Sequence, residues 1–358
     1  METKRIDFVD LAKGICILLV VISHIEKNYH IVTDFSNMAQ CFRMPLYFIL
    51  SGLFFKDYGG FKNLFVKKTN KLAIPFFFFF IVNILLFPFF LHWLFPSLYQ
   101  QPTVSAGYLF CFLVEKSNLM PNAIWFLLCL FILNLMFYVL FIISKRITAN
   151  LVSDKDSSSF FIATLVLLSI ILGCIGYYLG INHINIYMYI DSALTVVPFF
   201  CFGFACRKYT NVLYPNRFDK YNYLFIIISF MIIYLLWGHL SYVENYYDIS
   251  ILCLYLTGIM GSLSILFIAK YIKKLPFVSY IGRYSIITLC THGPIIYLLK
   301  AVFQLTNIDI SNTACMIISF FAIVVLEMTV VIPFAIKYLP YVTAQKDLIN
   351  LELNSTIQ

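Results

Sequence analysis

Long apolar blocks separated by short polar connections run along most of the chain. Ten blocks are long enough to draw as membrane-spanning segments, at roughly 8–27, 39–56, 72–93, 122–143, 159–179, 191–207, 221–239, 249–269, 284–304 and 313–336. Backbone polar groups in lipid must be hydrogen-bonded within the protein, so spanning segments are helices or strands of closed barrels. The blocks lack the apolar–polar alternation of barrel strands. The pattern predicts an all-α membrane protein, a polytopic bundle of about ten transmembrane helices.

Charged residues are scarce, and the basic ones concentrate in alternate connections. The 358 residues are 61% hydrophobic and 12% charged, whereas soluble domains carry about 25% charged residues. Lys and Arg cluster before the first segment and after the second, fourth, sixth, eighth and tenth. Because cytoplasmic loops collect basic residues, we expect both termini to be cytoplasmic. We expect one transmembrane domain over 1–340 and a short polar cytoplasmic tail over 341–358. The net charge of +8 then reflects these loops and indicates no nucleic-acid partner.

Three further features narrow the class. The connection 94–121 contains an apolar run, Tyr108 to Val114, that is too short to span and that we interpret as interfacial or re-entrant. The first segment lacks a small-residue cleavage site, so we interpret it as a retained span and not a signal peptide. The ten cysteines form no CxxC or Cys/His spacing. We expect no metal site.

The first segment contains ionisable residues, and the uncharged stretch between them is too short to cross a membrane. Only ten residues, Gly14 to Ser23, separate Lys13 from His24, whereas a spanning helix needs about 20 predominantly apolar residues. Ionisable residues at membrane depth usually face a protein interior or a water-filled cavity and mark function. Eleven helical positions bring Lys13 and His24 to one helix face, about 16 Å apart. The alternative is structural: Lys13 snorkels to the headgroups or pairs with Asp10, and His24 lies at the outer interface.

Three candidates lie in the second and fourth segments. Arg43 falls on the outer side, against the positive-inside trend, where it can bind a carboxylate or carbonyl group or act as an interfacial anchor. Ser51 lies further along the same segment and is a candidate substrate contact, with close helix packing as the alternative. Trp125 opens the fourth segment as a candidate substrate contact or as an interfacial tryptophan.

Two candidates lie near the end of the chain. His292 precedes Gly293-Pro294, which we expect to break or kink the ninth segment and leave irregular backbone lining a cavity. A buried, hydrogen-bonded histidine is the alternative. Glu327 lies in the middle of the tenth segment and requires a polar partner there.

Several short motifs in this order resemble the acyltransferase-3 family of integral membrane acyltransferases. They are Lys13 and His24 with ten residues between them, Phe42 to Gly52 (FRMPLYFILSG), Lys67 to Pro75, Ile124-Trp125-Phe126-Leu127, Pro198-Phe199-Phe200 to Gly203, and Ile281-Gly282-Arg283-Tyr284-Ser285 with His292. The combination is specific, while each later motif alone is weak, and the resemblance covers about the whole chain. Members with an SGNH hydrolase-like domain carry it after the bundle, so the chain resembles a stand-alone form.

The resemblance implies transfer of an acyl group, usually acetyl, from cytoplasmic acyl-CoA to a hydroxyl of an extracytoplasmic sugar. Surface polysaccharides are the commonest acceptors, and polysaccharide biosynthesis machinery is a possible partner. The implied location is the cell membrane, as a multi-pass protein. The expected catalytic residues are His24, Lys13 and Arg43. The expected substrate-binding residues are Asp10, Ser51, Trp125, Arg283 and His292.

The expected mechanism divides the roles between the two ends of the first segment. Lys13 holds the CoA phosphates or polarises the thioester, and His24 acts as general base or carries the acyl group transiently. Arg43 stabilises an oxyanion or orients the acceptor. The alternatives are a polytopic transporter or flippase for a polysaccharide precursor, and a receptor or scaffold bundle. No inverted or parallel repeat supports the transporter, and a scaffold would not need charges buried in its first span.

Overall fold

The computed structural model describes residues 6–31, 33–102, 123–152, 157–209 and 219–350, so the predicted segment around 108–114 lies outside the described residues. The helices of two turns or more, numbered in chain order, are α1 Asp7–Tyr29, α2 Asp34–Leu53, α3 Phe61–Leu94, α4 Trp125–Leu151, α5 Ser157–Ile181, α6 Ile190–Tyr209, α7 Asn222–Leu236, α8 Ile251–Ile272, α9 Pro276–Arg283, α10 Ser285–Leu305 and α11 Thr313–Tyr338. Two strands between α7 and α8, Leu240–Ser241 and Tyr246–Tyr247, form an antiparallel hairpin.

The prediction of a helical membrane protein is confirmed, since each of the ten predicted segments falls on a helix. Eight of the described helices are long and apolar enough to cross a membrane. The two predicted segments outside that set are α7, which has 15 residues, and α2. Asn37, Gln40 and Arg43 make the first half of α2 polar, and all three line a cavity described below. The number of crossings and the side of the termini stay predictions.

Glycines bring the two helices that carry the site into close contact with their neighbours. A Cβ on Gly14 of α1 would collide with a backbone carbonyl of α9, and one on Gly282 of α9 with a backbone carbonyl of α1. Gly52 of α2 and Gly203 of α6 are related in the same way. Because helices in lipid associate through close packing of small residues, these contacts fix the positions of α1 and α2.

Of the predicted break or kink at Gly293-Pro294, the break is wrong: α10 continues as one helix from Ser285 to Leu305. A proline inside a helix removes the hydrogen bond to the carbonyl four residues earlier, which here belongs to Cys290. Asn83 of α3 donates its side-chain amide to that carbonyl over 2.7 Å. A neighbouring helix therefore gives this carbonyl a hydrogen-bond donor in place of the missing one, within a helix that continues past the proline.

The residues after α11 return to α3. We call residues 340–350 the C-terminal strap. The buried amide of Asn70 in α3 accepts from the backbone N–H groups of Leu348 and Ile349, both over 2.9 Å, and donates to the carbonyl of Ile349 over 2.8 Å. One side chain thus holds the strap by its backbone, close to a second cavity described below.

Candidate active site

A cavity of about 370 Å³ lies between α1, α2, the start of α4 and the hairpin between α7 and α8. We call it the His24 cavity, because His24 forms part of its wall together with Arg43. Its polar and aromatic lining also includes Ser36, Asn37, Gln40, Trp125, Ser241 and Tyr242. A concave site with several hydrogen-bonding side chains and an aromatic ring suits a polar organic molecule.

His24 is hydrogen-bonded to His292, and the direction of that bond follows from a backbone carbonyl. His292 is fully buried, and its Nδ1 lies 2.6 Å from the carbonyl oxygen of Thr288. Since a carbonyl only accepts, Nδ1 of His292 carries the proton and Nε2 carries the lone pair. Nε2 lies 2.9 Å from Nδ1 of His24. His24 therefore donates to His292 through Nδ1 and carries its own lone pair on Nε2, and the His24 side chain lines the cavity.

Glu327 lies behind His292. The carboxylate is 1% exposed and accepts from the Thr291 hydroxyl over 2.6 Å and from the Thr288 hydroxyl over 3.4 Å. Glu327 begins a π-helical segment of α11, Glu327–Val331, and such segments are frequent at functional sites. The partner expected for this residue is thus a pair of threonines, and the contact joins α11 to the turn of α10 that carries His292.

Arg43 and Glu26 bring opposite charges to the wall of the His24 cavity. Thr33, which caps the start of α2, donates to Glu26 over 2.7 Å and so joins α2 to α1. Nη1 of Arg43 is buried and has no hydrogen-bond partner among the described residues. A buried donor without a partner costs about 1–3 kcal/mol. Arg43 therefore gains from any bound group that offers it an oxygen.

Trp125 lies inside the protein and not in an interfacial belt. The side chain is 8% exposed and lines the His24 cavity. Its ring centre lies 5.8 Å from that of Tyr189 in the turn before α6. Aromatic contacts of this kind favour offset or tilted geometries, and they hold the indole in the cavity wall.

A second cavity of about 250 Å³ lies between α1, α2, α3, α4 and α10. We call it the Lys13 cavity. Its polar lining consists of Lys13, Ser51, Lys68, Lys71, Asn134 and Ser285 together with Tyr47, and the rest of the wall is apolar. The Tyr47 hydroxyl donates to the backbone carbonyl of Lys13 over 2.8 Å. Three lysines around an apolar interior suit a ligand with an anionic part and an apolar part.

The two cavities meet at two side chains. Met44 of α2 and Leu289 of α10 belong to the walls of both cavities. Arg43, the neighbour of Met44, lines only the His24 cavity, and Ser51 lines only the Lys13 cavity. Helices α1, α2, α4 and α10 contribute to both walls, and the two residues common to them, Met44 and Leu289, are apolar.

Five of the predicted site residues line a cavity. His24, Arg43 and Trp125 lie in the wall of the His24 cavity, and Lys13 and Ser51 in that of the Lys13 cavity. The structure brings these residues together from α1, α2 and α4.

The other three predicted site residues lie elsewhere. His292 lies behind His24, not in the described lining of either cavity. Arg283 is exposed at the end of α9, with its guanidinium 5.3 Å from the ring centre of Tyr284. Asp10 is buried on α1, beside the close contact with α9. The described linings of both cavities omit Asp10 and Arg283.

Other residues of the cavities were not among the predicted site residues. Lys68 and Lys71 line the Lys13 cavity, and the sequence indicates them only as part of the basic 56–71 loop, which marks the cytoplasmic side and can attract an anionic cofactor. Glu26 follows His24 by two residues, and that spacing was a signal. The hairpin carries Tyr242, whose hydroxyl donates to the Cys41 carbonyl over 3.2 Å. Across the described ranges, the structure holds no cluster of three or more His, Cys, Asp or Glu residues suited to a metal.

Comparison with known proteins identifies the family. A family model described as an acyltransferase domain, that of the acyltransferase-3 family, matches residues 6–332. The match runs from the start of α1 into α11 and includes every residue of both cavities. No curated protein and no solved structure matches the chain. A match over most of the chain, on a structure with many membrane-spanning helices, means that the protein belongs to the acyltransferase-3 family and is a multi-pass membrane acyltransferase.

Proposed function

We propose that this protein is an O-acyltransferase that moves a short acyl group, most simply acetyl, from acyl-CoA to a hydroxyl of a sugar. The donor enters the Lys13 cavity from the cytoplasm, and the acceptor occupies the His24 cavity on the other side of the membrane. One observation carries the proposal. His24, oriented by His292, lines a polar cavity that meets a lysine-lined apolar cavity at Met44 and Leu289.

The charges of the Lys13 cavity support an anionic donor. Lys13, Lys68 and Lys71 lie in its wall, and lysine binds phosphate groups as a point charge. The apolar remainder of the wall suits the pantetheine arm and the acyl chain of acyl-CoA. A positive cavity also raises the local concentration of an anionic substrate.

The lining of the His24 cavity supports a polyhydroxylated acceptor. Ser36, Asn37 and Gln40 of α2 and Ser241 of the hairpin offer hydrogen bonds. Trp125 offers an aromatic face, which pairs with the apolar face of a sugar ring. A sugar of a surface polysaccharide in the cell membrane of a bacterium fits this chemistry. The biosynthetic machinery of that polysaccharide would then deliver the acceptor.

The proposed transfer depends on which nitrogen of His24 is unprotonated. Nε2 accepts the proton of the acceptor hydroxyl, and the oxygen attacks the thioester carbonyl carbon. Arg43 donates to the carbonyl oxygen as negative charge develops on it. The C–S bond breaks, the C–O bond is complete, and the proton on His24 passes to the departing thiolate. Atoms and charge balance, with free CoA thiol and the O-acyl sugar as products. A transient acyl group on Nε2 would divide the same reaction into two steps.

The test is donor consumption by purified protein in nanodiscs, with acetyl-CoA and a fraction of surface polysaccharide. Release of CoA thiol and a mass increase of the sugar should depend on His24, and His24→Ala should lower kcat by about 10²- to 10⁴-fold. His183→Ala is the matched control, since His183 follows α5 and lies outside both cavity walls.

Two results would contradict the proposal. If a correctly folded His24→Ala protein acylates at the rate of the wild type, His24 is not the general base. Movement of sugar across the bilayer without acylation would favour the transporter.

A further inference from the structure

We propose that Met44 and Leu289 form the passage between the two cavities and that their side chains set the longest acyl chain the enzyme transfers. The inference rests on the proposed function. Among the described residues, only these two belong to the walls of both cavities. They are 8% and 5% exposed, so both side chains are buried where the two cavities adjoin.

Helical spacing puts the pair on the line from donor to base. Leu289 follows Ile286 of the Lys13 cavity by three residues and precedes His292 by three. Residues three apart share one face of a helix, so Leu289 lies between the donor wall and the histidine pair. On α2, Met44 lies next to Arg43 of the His24 cavity and three residues before Tyr47 of the Lys13 cavity. A thioester carbonyl that reaches Arg43 and His24 must therefore pass these two side chains.

The chemistry of the pair suits an adjustable passage. Neither side chain offers a hydrogen bond to hold a carbonyl in place. Methionine is unbranched, with three rotatable bonds, and adapts to irregular space. A change of rotamer can open a gap for a small acyl group, while a longer chain requires both side chains to move against buried neighbours. Close-packed interiors resist such movement.

The donor cavity is a second constraint on chain length, because its space of about 250 Å³ has to take part of the pantetheine arm as well as the acyl chain. The passage differs from it, because every carbon of the transferred acyl group has to cross it. One methylene in a hydrophobic site changes selectivity by about 10- to 200-fold.

The experiment measures kcat/KM for acetyl-, butyryl- and hexanoyl-CoA by release of CoA thiol, with the polysaccharide fraction present. Met44→Ala and Leu289→Ala should each raise the butyryl-to-acetyl ratio about tenfold or more. Leu289→Trp should lower the rate for every donor while KM changes little. Leu133→Ala is the control, since Leu133 is a buried leucine of α4 outside both cavity walls. It should keep the wild-type ratio.

Two results would overturn the passage. One is an unchanged ratio in both alanine variants. The other is an equal rise in Leu130→Ala, which enlarges only the Lys13 cavity. Failure of the proposed function is distinguishable, because the wild type would then consume no acyl-CoA at all.

Discussion

His24 can act as a base only through an unprotonated ring nitrogen. Two successive hydrogen bonds, one between Thr288 and His292 and one between His292 and His24, determine which nitrogen that is. The carbonyl of Thr288 accepts a hydrogen bond from Nδ1–H of His292, and Nε2 of His292 in turn accepts a hydrogen bond from Nδ1–H of His24. A histidine pair without that carbonyl could exchange the two roles freely. The sequence located His24 and His292 but could not show that one orients the other, since 268 positions separate them.

This arrangement predicts how His292 variants behave. His292→Ala removes the acceptor for Nδ1 of His24, so the ring can turn or change tautomer, and kcat should fall by about 10- to 100-fold. His292→Asn should restore part of the rate, because its amide oxygen can accept the same hydrogen bond. KM for acyl-CoA should stay near the wild-type value in both. Stopped assays of CoA release over a range of acyl-CoA concentrations separate the two constants.

The comparison of the two variants distinguishes positioning from packing. If the alanine and asparagine proteins lose equal activity, the hydrogen bond is not what matters. If KM rises and kcat does not change, His292 contributes to donor binding instead.

Helices α2, α3 and α10 illustrate what a hydropathy pattern can and cannot predict. It located all ten predicted segments, yet α2 begins at Asp34, five residues before the predicted start, because Thr33 caps it. It also predicted a break at Pro294, because the pattern holds no information about Asn83 on another helix. The hydropathy pattern could not identify Met44 and Leu289 for the same reason. An apolar residue in an apolar segment gives the same signal whether it lines a cavity or packs against another helix.

The contact between Asn83 and the proline turn predicts a non-additive pair of substitutions. Asn83→Ala leaves the Cys290 carbonyl buried without a partner and should cost about 1–3 kcal/mol of unfolding free energy. In a Pro294→Ala background the new backbone N–H at position 294 can bond that carbonyl, so the cost of Asn83→Ala should shrink. A double-mutant cycle measures the difference, with unfolding followed by circular dichroism in mixed micelles of increasing SDS content.

Additive effects in that cycle would contradict this account of the continuous helix. Asn182→Ala provides the comparison. Its side chain also donates to a backbone carbonyl, that of Tyr178, but in an exposed turn. Its removal should cost less than that of Asn83 in either background.

For the whole molecule, the proposed function divides the chemistry between two cavities whose walls both draw on α1, α2, α4 and α10. Bringing acyl-CoA and a sugar together in one water-filled space would expose the thioester to hydrolysis, and excluding water prevents such side reactions. In the proposed reaction, the apolar pair of Met44 and Leu289 would keep the two spaces apart until transfer. The strap at the C-terminus lies at the Lys13 end, since Lys71 lines that cavity and donates to the Ala344 carbonyl over 2.8 Å. Changes in the strap should therefore affect the donor and not the acceptor.

The attachment of the strap predicts a pH dependence through Asp347. Lys67 and Lys71 lie 2.6 and 3.1 Å from its two carboxylate oxygens, and the hydrogen bond from Lys67 holds the pKa of Asp347 below its usual value. The docked strap therefore binds fewer protons than the free strap, so docking is favoured above the usual aspartate pKa and weakens as the pH falls through the lowered value. Since these groups are partly exposed, the contribution is small, about 0–1 kcal/mol.

Hydrogen exchange of two backbone amides in the strap measures how firmly it is docked. The N–H groups of Leu348 and Ile349 donate to the side chain of Asn70, and their exchange should be faster in Asp347→Asn than in the wild type near neutral pH. At acidic pH the two proteins should converge. Asp57→Asn changes an exposed aspartate whose side chain accepts from the Gly59 N–H, and it should leave the exchange unaltered. A difference between Asp347→Asn and wild type that persists undiminished at acidic pH would mean that the carboxylate charge does not hold the strap.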